Sequence, residues 1–359
     1  EAEPDVRPDT LDGSPAFDVV ARGYRMDEVD SQIEAMQAEI EGVLEAKDIE
    51  YIHRMRVASR RLRSALAIFK GCLSSKDFKN FARVIRDVTR SLGAARDLDV
   101  QLAVLESVMP DFSDPKLIPG LRRLQFRLKQ QRVGAQKDVI TAIQTLQANN
   151  TLVNLAKWTV PFQELSEGVY LFSPALYELA FSGINARLNE LLEHAAYVQD
   201  ESNVTELHNM RISAKRLRYT MEAFTDLYGA SLKPFINQTR KFQDMLGEIH
   251  DADVWIEMIP RFIQEEGERI FMYFGNNRPL KRLLPGLEAF RANRTEKRKA
   301  DYQRFLGIWA QAEEEHLWDE LLKLINAPLD LEVALHSLQQ LENPHVEQVE
   351  KFEDISPED

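Results

Sequence analysis

The sequence predicts an all-α protein built from two similar halves, and three observations lead to this fold class. Apolar residues recur at helical spacing, period-two alternation is scarce, and a stretch of about 155 residues occurs twice. A unit of this length is too long for a solenoid repeat and matches the size of a small domain. We therefore expect two four-helix bundles related by a pseudo-twofold axis.

Two linked motifs define the repeat. The first has the pattern H-x-x-R-x-x-x-[RK]-R-x-R and occupies residues 53–63 and 208–218, at an offset of 155. The second is Leu-Gly followed by Asp-x-Asp-Val, which begins at Leu92 and again at Leu246, at an offset of 154. Because both motifs keep their order and nearly the same offset, they indicate a duplicated unit.

Clusters of Gly, Pro and Asn divide each half into four segments. The predicted helices are 27–47, 49–70, 77–108 and 119–147 in the first half, and 174–199, 204–228, 233–265 and 281–325 in the second. The predicted organisation is an acidic, partly disordered segment (1–26), the first half (27–150), a linker (151–173), the second half (174–325), and a C-terminal helix near 330–342 with an acidic tail (326–359).

The net charge of −13 conceals an uneven distribution. Four segments, 51–96, 116–132, 207–241 and 281–304, hold 33 of the 45 basic residues and 7 of the 58 acidic residues. These 122 residues carry +26, and the other 237 carry −39. Segregation of this size indicates a focused site for an anion, although solvated helix faces are the simpler interpretation of any single charge run.

The repeated helix is amphipathic, with an arginine-rich face opposite an apolar stripe. On a helical wheel, Met55 and Leu62 lie opposite His53, and the second copy keeps this arrangement. Like charges at i and i+4 repel, so this face indicates a partner anion from elsewhere. Seven of the eight repeated basic positions are Arg, whose planar fork binds phosphate oxygens two at a time.

Further cations occupy matching positions outside this helix. Arg86 and Arg240 precede the two Leu-Gly pairs, and a weaker match relates Arg127 and Arg132 to a later pair at offsets of 167 and 166. If all these side chains point inward, they line a basic channel or groove with a focused potential. The predicted anion-binding set is His53, Arg56, Arg60, Arg61, Arg63, Arg86, Arg127, Arg132, His208, Arg211, Lys215, Arg216, Arg218, Arg240, Arg294 and Arg298.

The paired helices, each followed by an L-G-x-x-[RH]-D-x-D-V segment, resemble the CHAD family, the conserved histidine α-helical domain. The resemblance covers nearly the whole chain. It implies two four-helix bundles around a central basic cavity and binding of inorganic polyphosphate, in many members at polyphosphate granules. The family's histidines correspond to His53 and His208. Two departures are that Lys215 replaces an Arg, and that His250 stands where the first half has Arg96.

Several other residues are expected to have structural roles. The acidic residues of the second motif are expected to orient arginines or cap helices, and the single Cys72 is expected to fill space. For the two repeated histidines, binding to phosphate and packing at a helix start are both open. The acidic residues in question are Asp97, Asp99, Asp251 and Asp253.

Catalysis, a metal and a cofactor are not expected. The seven histidines show no ligand pair at i, i+4 spacing, which disfavours a metal site. The sequence contains no nucleotide-binding glycine loop, and no activated nucleophile can be assembled from it.

Inorganic polyphosphate is the expected partner, and two alternatives stay open. A nucleic-acid-binding protein would also be rich in Arg, but the basic face lacks interleaved aromatic residues, with Tyr219 as the main exception. An adaptor would recruit proteins through the acidic ends of the chain. No membrane partner is expected, because no apolar run is long enough to span a bilayer. The expected location is cytoplasmic, with polyphosphate granules as a candidate site.

Overall fold

The computed structural model describes residues 26–68, 75–166 and 174–329, and this part of the chain is helical without strands. The all-α fold class is therefore confirmed. None of the described helices is both long and apolar enough to cross a membrane. The helices are α1 (Met26–Glu45), α2 (Ile49–Ile68), α3 (Ser75–Val108), α4 (Ile118–Ala148), α5 (Thr151–Ser166), α6 (Pro174–Leu192), α7 (Val204–Ala223), α8 (Thr225–Tyr228), α9 (Lys233–Phe274), α10 (Leu284–Glu314) and α11 (Leu317–Asn326).

The helices form two packing units whose limits differ from the predicted halves. Unit 1 contains the described residues of 1–170 together with Trp255–Arg294, and unit 2 contains those of 171–254 and 295–359. Helices α9 and α10 thus each contribute residues to both units. Because the repeat is sequential, the sequence predicted two halves that meet at a linker. In the structure, Trp255–Arg294 belongs to the second predicted half but packs in unit 1. The pseudo-twofold relation of two four-helix bundles stays a prediction.

Unit 1 has a first core formed by α1 to α5. The apolar stripe predicted for α2 faces this core, since Met55, Leu62 and Leu66 are at most 1% exposed. Leu152 and Leu155 of α5 are also buried in it. Their burial explains why a helix forms at Thr151–Ser166, where the sequence predicted a linker.

Two other helix boundaries differ from the prediction. Helix α9 continues to Phe274 and contains Pro260, whereas the sequence predicted an end at residue 265. The predicted helix 281–325 is interrupted at His316, which has a left-handed backbone with φ of 51°. The C-terminal helix predicted near 330–342 lies outside the described residues.

A second core in unit 1 joins segments that are far apart in the sequence. It combines the end of α3, the start of α4, the later part of α9 and the start of α10. Trp255 and Phe290 lie at its centre, with rings packed edge to face at 4.9 Å between centroids. The buried residues are Leu105, Leu121, Leu124, Leu128, Trp255, Ile259, Phe262, Leu287 and Phe290.

Helices α4 and α10 approach each other with their backbones in contact at two glycines. A Cβ atom on Gly120 would overlap the carbonyl oxygen of Leu283, and a Cβ atom on Gly286 would overlap that of Leu117. The contact is reciprocal, because each glycine faces the carbonyl oxygen of a leucine on the other helix. The two glycines are 166 residues apart, as are the two leucines, and a Pro precedes each Gly. Only glycine permits this approach, since any side chain would meet rigid backbone.

Unit 2 has an aromatic core. Phe242 of α9 lies against Phe305 and Trp309 of α10 and Trp318 of α11, with ring centroids 5.5 to 6.3 Å apart. The hydroxyl of Tyr302 donates to the carbonyl oxygen of Val198 at 2.7 Å, so a buried polar group is satisfied. The ring contacts hold the first part of α9 against α10 and α11.

We predict opposite effects for two Gly-to-Ala changes in α4. Gly120→Ala should destabilise the protein by about 2–4 kcal/mol, because the new methyl group meets backbone that cannot move aside. Gly134→Ala is the matched control: its methyl group would have no other atom within 4 Å, and alanine favours helix. It should be neutral or stabilise by up to about 1 kcal/mol. Urea unfolding followed by circular dichroism measures both, and equal stabilities would contradict the close helix contact.

Candidate anion-binding site

The arginine-rich face of α2 lies on the side of the helix opposite the first core of unit 1. His53, Arg56, Arg60 and Arg63 are half-buried, and Arg61 is exposed. Half-burial removes part of the water around a guanidinium group, which strengthens its interaction with an anion. The predicted cations of α2 therefore lie partly exposed on the face of the helix that the helical wheel predicted.

A glycine on the neighbouring helix makes room for Arg56. A Cβ atom on Gly93 of α3 would lie 3.6 Å from Nε of Arg56, so the guanidinium group rests directly against the glycine. The preceding Leu92 is fully buried in the core. The repeated Leu-Gly pair thus has a position that the sequence motif left unassigned: the leucine anchors α3 in the core, and the glycine lies beside the arginine.

Unit 2 repeats this arrangement on α7. Gly247 of α9 lies against Arg211 with the same 3.6 Å between Nε and the position of a Cβ atom. Leu246 is 1% exposed, as its counterpart in unit 1 is buried. Arg211 is half-buried, and no carboxylate oxygen among the described residues lies within 4 Å of its guanidinium group. The same arginine–glycine contact therefore occurs once in each unit.

His208 on α7 contacts His250, whereas the equivalent of His250 in unit 1 is Arg96. Nδ1 of His208 lies 3.0 Å from Nδ1 of His250 on α9, and the two ring centroids are 4.2 Å apart. One ring donates and the other accepts in this hydrogen bond. Burial, together with the charges of His208 and Arg211, lowers the pKa of His250 to about 4. His250 is therefore neutral at physiological pH.

The corresponding place in unit 1 contains an ion pair instead. Nη1 of Arg96 lies 3.7 Å from Oε1 of Glu50, in the first turn of α2. Thr205 stands in place of Glu50 at the offset of 155, and His250 stands in place of Arg96 at the offset of 154. At this place unit 2 therefore has neither the acid nor the permanent cation of unit 1, so the two arginine faces have different neighbours.

The second motif orients arginines, as predicted, at two of its four acidic residues. Nε of Arg132 donates to Oδ1 of Asp99 at 2.7 Å in unit 1, and Nε of Arg298 donates to Oδ1 of Asp253 in unit 2. This equivalence supports the weak sequence match at offset 166. At offset 167, Nε of Arg294 donates to Oδ1 of the neighbouring Asn293 at 3.0 Å.

A buried carboxylate holds two arginines of α4. Glu266 of α9 is fully buried, and it accepts hydrogen bonds from Nε of Arg123 at 2.6 Å and from Nε of Arg127 at 3.0 Å. Burial would raise the pKa of this carboxyl group, but the bonds from Arg127 and Arg123 lower it overall. Arg127 was predicted to bind an external anion, and here it shares the single carboxylate of Glu266 with Arg123, which balances its charge in part.

Carboxylates that the sequence pattern did not reveal neutralise other predicted cations. Glu222 accepts from Arg218 at 2.9 Å and from Arg240 at 3.4 Å, and Glu190 of α6 lies 3.7 Å from Arg216. The spacing of Arg218 and Glu222 at i, i+4 is a signal that sequence could have supplied. At least six predicted cations have a carboxylate oxygen within 4 Å, namely Arg127, Arg132, Arg216, Arg218, Arg240 and Arg298.

The predicted set therefore separates into two groups within each unit. The arginines on the faces of α2 and α7 that rest on glycine lie where an anion can reach them. Arg86 is exposed on α3, whereas Arg127, Arg132, Arg216, Arg218, Arg240 and Arg298 are paired with carboxylates. Among the described residues, no group of three His, Cys, Asp or Glu side chains is placed to hold a metal ion.

Comparison with known proteins agrees with this architecture. The sequence matches the CHAD domain family over residues 28–260, and the chain belongs to that family. A similar solved structure is the crystal structure of the CHAD domain from the plant Ricinus communis, with a TM-score of 0.53 and 23% sequence identity. The similarity covers 86% of this chain and 91% of that chain, and at this identity it concerns the fold. Comparison with curated proteins gives no match.

The histidine pair predicts a pH-dependent loss of stability. The unfolded chain protonates His250 near 6.5 and the folded chain near 4, so the unfolded state binds more protons between these values. Stability should therefore fall as the pH decreases through this window. Between about pH 7 and about pH 4.5, wild type should lose about 1 kcal/mol more than His250→Gln, after a discount for the solvent screening of a partly exposed ring.

Urea unfolding at the two pH values measures this difference. The matched control is His194→Gln, a half-buried histidine in the same unit, which should keep the wild-type pH dependence. If His250→Gln loses as much stability as wild type, the ring of His250 does not resist protonation and the interpretation fails.

Proposed function

We propose that this protein binds inorganic polyphosphate, without catalysing a reaction, through the arginine faces of α2 and α7. The observation that carries this proposal is the repeated placement of Arg56 beside Gly93 and of Arg211 beside Gly247, where a Cβ atom on each glycine would lie 3.6 Å from Nε. Two units with different surroundings keep the same half-buried guanidinium group beside a glycine. Such repetition supports a shared ligand rather than two unrelated structural needs.

The arrangement of charges favours a linear polyanion over a single phosphate. Arg56, Arg60 and Arg63 follow one another by about one helical turn, so that successive cations lie about 5–6 Å apart along α2. A monophosphate would contact one or two of them. A phosphate chain that runs along the helix can pair with every turn, and each Arg can offer two donors to it.

The neutralised arginines support this function indirectly. A face of like charges is unstable without anions, and the carboxylates of Glu190 and Glu222 reduce that repulsion while no ligand is bound. They also hold Arg216 and Arg218 in defined positions, which lowers the entropy cost of ligand binding. Polyphosphate can then bind the guanidinium N–H groups that Glu190 and Glu222 leave unoccupied.

The nucleic-acid alternative has less support. The guanidinium carbon of Arg218 lies 4.5 Å from the ring centroid of Tyr219, so the aromatic residue best placed for base stacking already stacks on a cation. The rest of the chain carries −39, which repels a bulky polyanion more than a thin one. The adaptor alternative depends on acidic ends that lie outside the described residues.

Inorganic polyphosphate as ligand suggests where the protein acts. We infer a cytoplasmic location, with polyphosphate granules as the site where the protein accumulates. The support is the same as for binding, since a protein with two polyphosphate-binding faces would concentrate wherever its ligand is dense.

The double change Arg56→Ala with Arg211→Ala tests the proposal. Loss of two charge-assisted contacts should weaken polyphosphate binding about 100-fold, while circular dichroism remains unchanged. The matched control is Arg90→Ala with Arg261→Ala, which removes the same charge from two exposed arginines that pair with acids on their own helices. This control should bind nearly as tightly as wild type.

Titration with single-stranded DNA of equal charge, at several salt concentrations, separates the alternatives. Wild type should prefer polyphosphate at every salt concentration, because its contacts use geometry as well as charge. Equal affinity for DNA and polyphosphate would contradict the proposal, and so would an equal loss of affinity in the control variant.

A further inference from the structure

The end of α9 exposes four consecutive large apolar side chains, which we call the apolar tip. Phe271, Met272, Tyr273 and Phe274 are 56, 80, 81 and 55% exposed. Single exposed apolar residues are ordinary on protein surfaces, whereas a contiguous group marks a contact site. The rings of Tyr273 and Phe274 pack edge to face with centroids 4.7 Å apart, so the apolar tip is a joined surface.

Hydrogen bonds define the backbone that presents the apolar tip. Gly275 ends α9 with a left-handed φ of 67°, and its N–H donates to the carbonyl oxygen of Phe271 at 2.8 Å. Oδ1 of Asn276 accepts from the N–H of Arg278 at 3.0 Å, which closes the following turn. The apolar tip is therefore a helix end followed by a hydrogen-bonded turn.

The shape of the apolar tip excludes a simple groove as its partner. Successive residues of a helix point about 100° apart, so residues 271–274 cover nearly every side of the end of α9. A groove on another protein accepts one face of a helix. A convex end that is apolar all round fits a partner that surrounds it, as the interfacial layer of a lipid bilayer does.

The charges next to the apolar tip are positive and unneutralised. Residues 269–282 contain four basic residues and no acidic residue. Arg278, Lys281 and Arg282 are exposed, and within the described ranges no carboxylate oxygen lies within 4 Å of them. The acids just before this segment are occupied, since Arg269 bonds to two of them. Cations beside an apolar insertion complement anionic lipid headgroups.

We propose that the apolar tip inserts into the interface of a membrane that contains anionic lipids, while Arg278, Lys281 and Arg282 contact the headgroups. Tyr and Phe are suited to the interfacial layer of a membrane, because their apolar rings can be buried there, and the Tyr hydroxyl can stay hydrated. The sequence led us to expect no membrane partner, because that expectation concerned spanning segments. Peripheral insertion of a helix end needs no spanning segment, so it agrees with the absence of one among the described helices.

Vesicle co-sedimentation tests the proposal with the full chain. Wild type should bind vesicles of phosphatidylcholine mixed with phosphatidylglycerol and should bind phosphatidylcholine alone far more weakly. The change Arg278→Gln, Lys281→Gln and Arg282→Gln should weaken binding about 100-fold, because each cation near an anionic surface contributes about fivefold. The change Tyr273→Ser with Phe274→Ser should weaken it by about tenfold or more.

A matched control separates the apolar tip from general surface hydrophobicity. Phe126 and Val133 are 49% and 65% exposed on α4 in the same unit, and their joint change to Ser should leave vesicle binding unchanged. Circular dichroism confirms that each variant is folded. Equal binding to neutral and anionic vesicles, or loss of binding in the control, would overturn the proposal.

The proposal is independent of polyphosphate binding, and the same experiment separates the two. Excess polyphosphate should not release wild type from vesicles, and Arg56→Ala with Arg211→Ala should bind vesicles normally. Release by polyphosphate would mean that the lipids occupy the polyphosphate site, which contradicts insertion of the apolar tip. Self-association that disappears in Tyr273→Ser with Phe274→Ser, without vesicle binding, would identify a second copy of the chain as the occupant and overturn the proposal.

Discussion

The contact between Gly120 and Gly286 is the constraint on which unit 1 depends. Because neither residue has a side chain, α4 and α10 meet through their backbones. This approach brings residues 255–290 against the ends of α3 and α4 and creates a second core. Two further features follow from it. Glu266 becomes buried beside arginines of α4, and the end of α9 is anchored at its base while its last four residues remain exposed.

The arginine faces show how a protein tolerates concentrated positive charge. Carboxylates pair with several arginines, such as Asp99 with Arg132. Arg56 and Arg211 instead lie beside glycines of neighbouring helices. The two faces are nevertheless unequal. Unit 1 has the ion pair of Arg96 and Glu50, whereas unit 2 has the hydrogen-bonded pair of His208 and His250, in which His250 is neutral at physiological pH. Duplication thus preserved the arginines and changed their surroundings.

Sequence predicted the helices best where periodicity is local. The stripe of α2 and its arginine face were correct because both depend on the 3.6-residue repeat alone. The prediction of a linker over 151–173 was wrong for Thr151–Ser166, because Gly, Pro and Asn are weak local signals that burial of Leu155 overrides. The prediction also ended α9 at residue 265, whereas the helix continues to Phe274, and burial does not explain this extension because its last four residues are exposed.

The sequence by itself determined the all-α class, the duplication, the family and the identity of the cations on each helix face. These properties reside in composition, spacing and order, which need no knowledge of distant contacts. Tertiary structure alone decided which cations are neutralised. Arg132 meets an acid 33 residues away and Arg127 meets one 139 residues away, and local spacing carries no information about such pairs. It also decided that the glycines of the two Leu-Gly pairs lie against arginine, because a glycine's neighbour is set by helix packing.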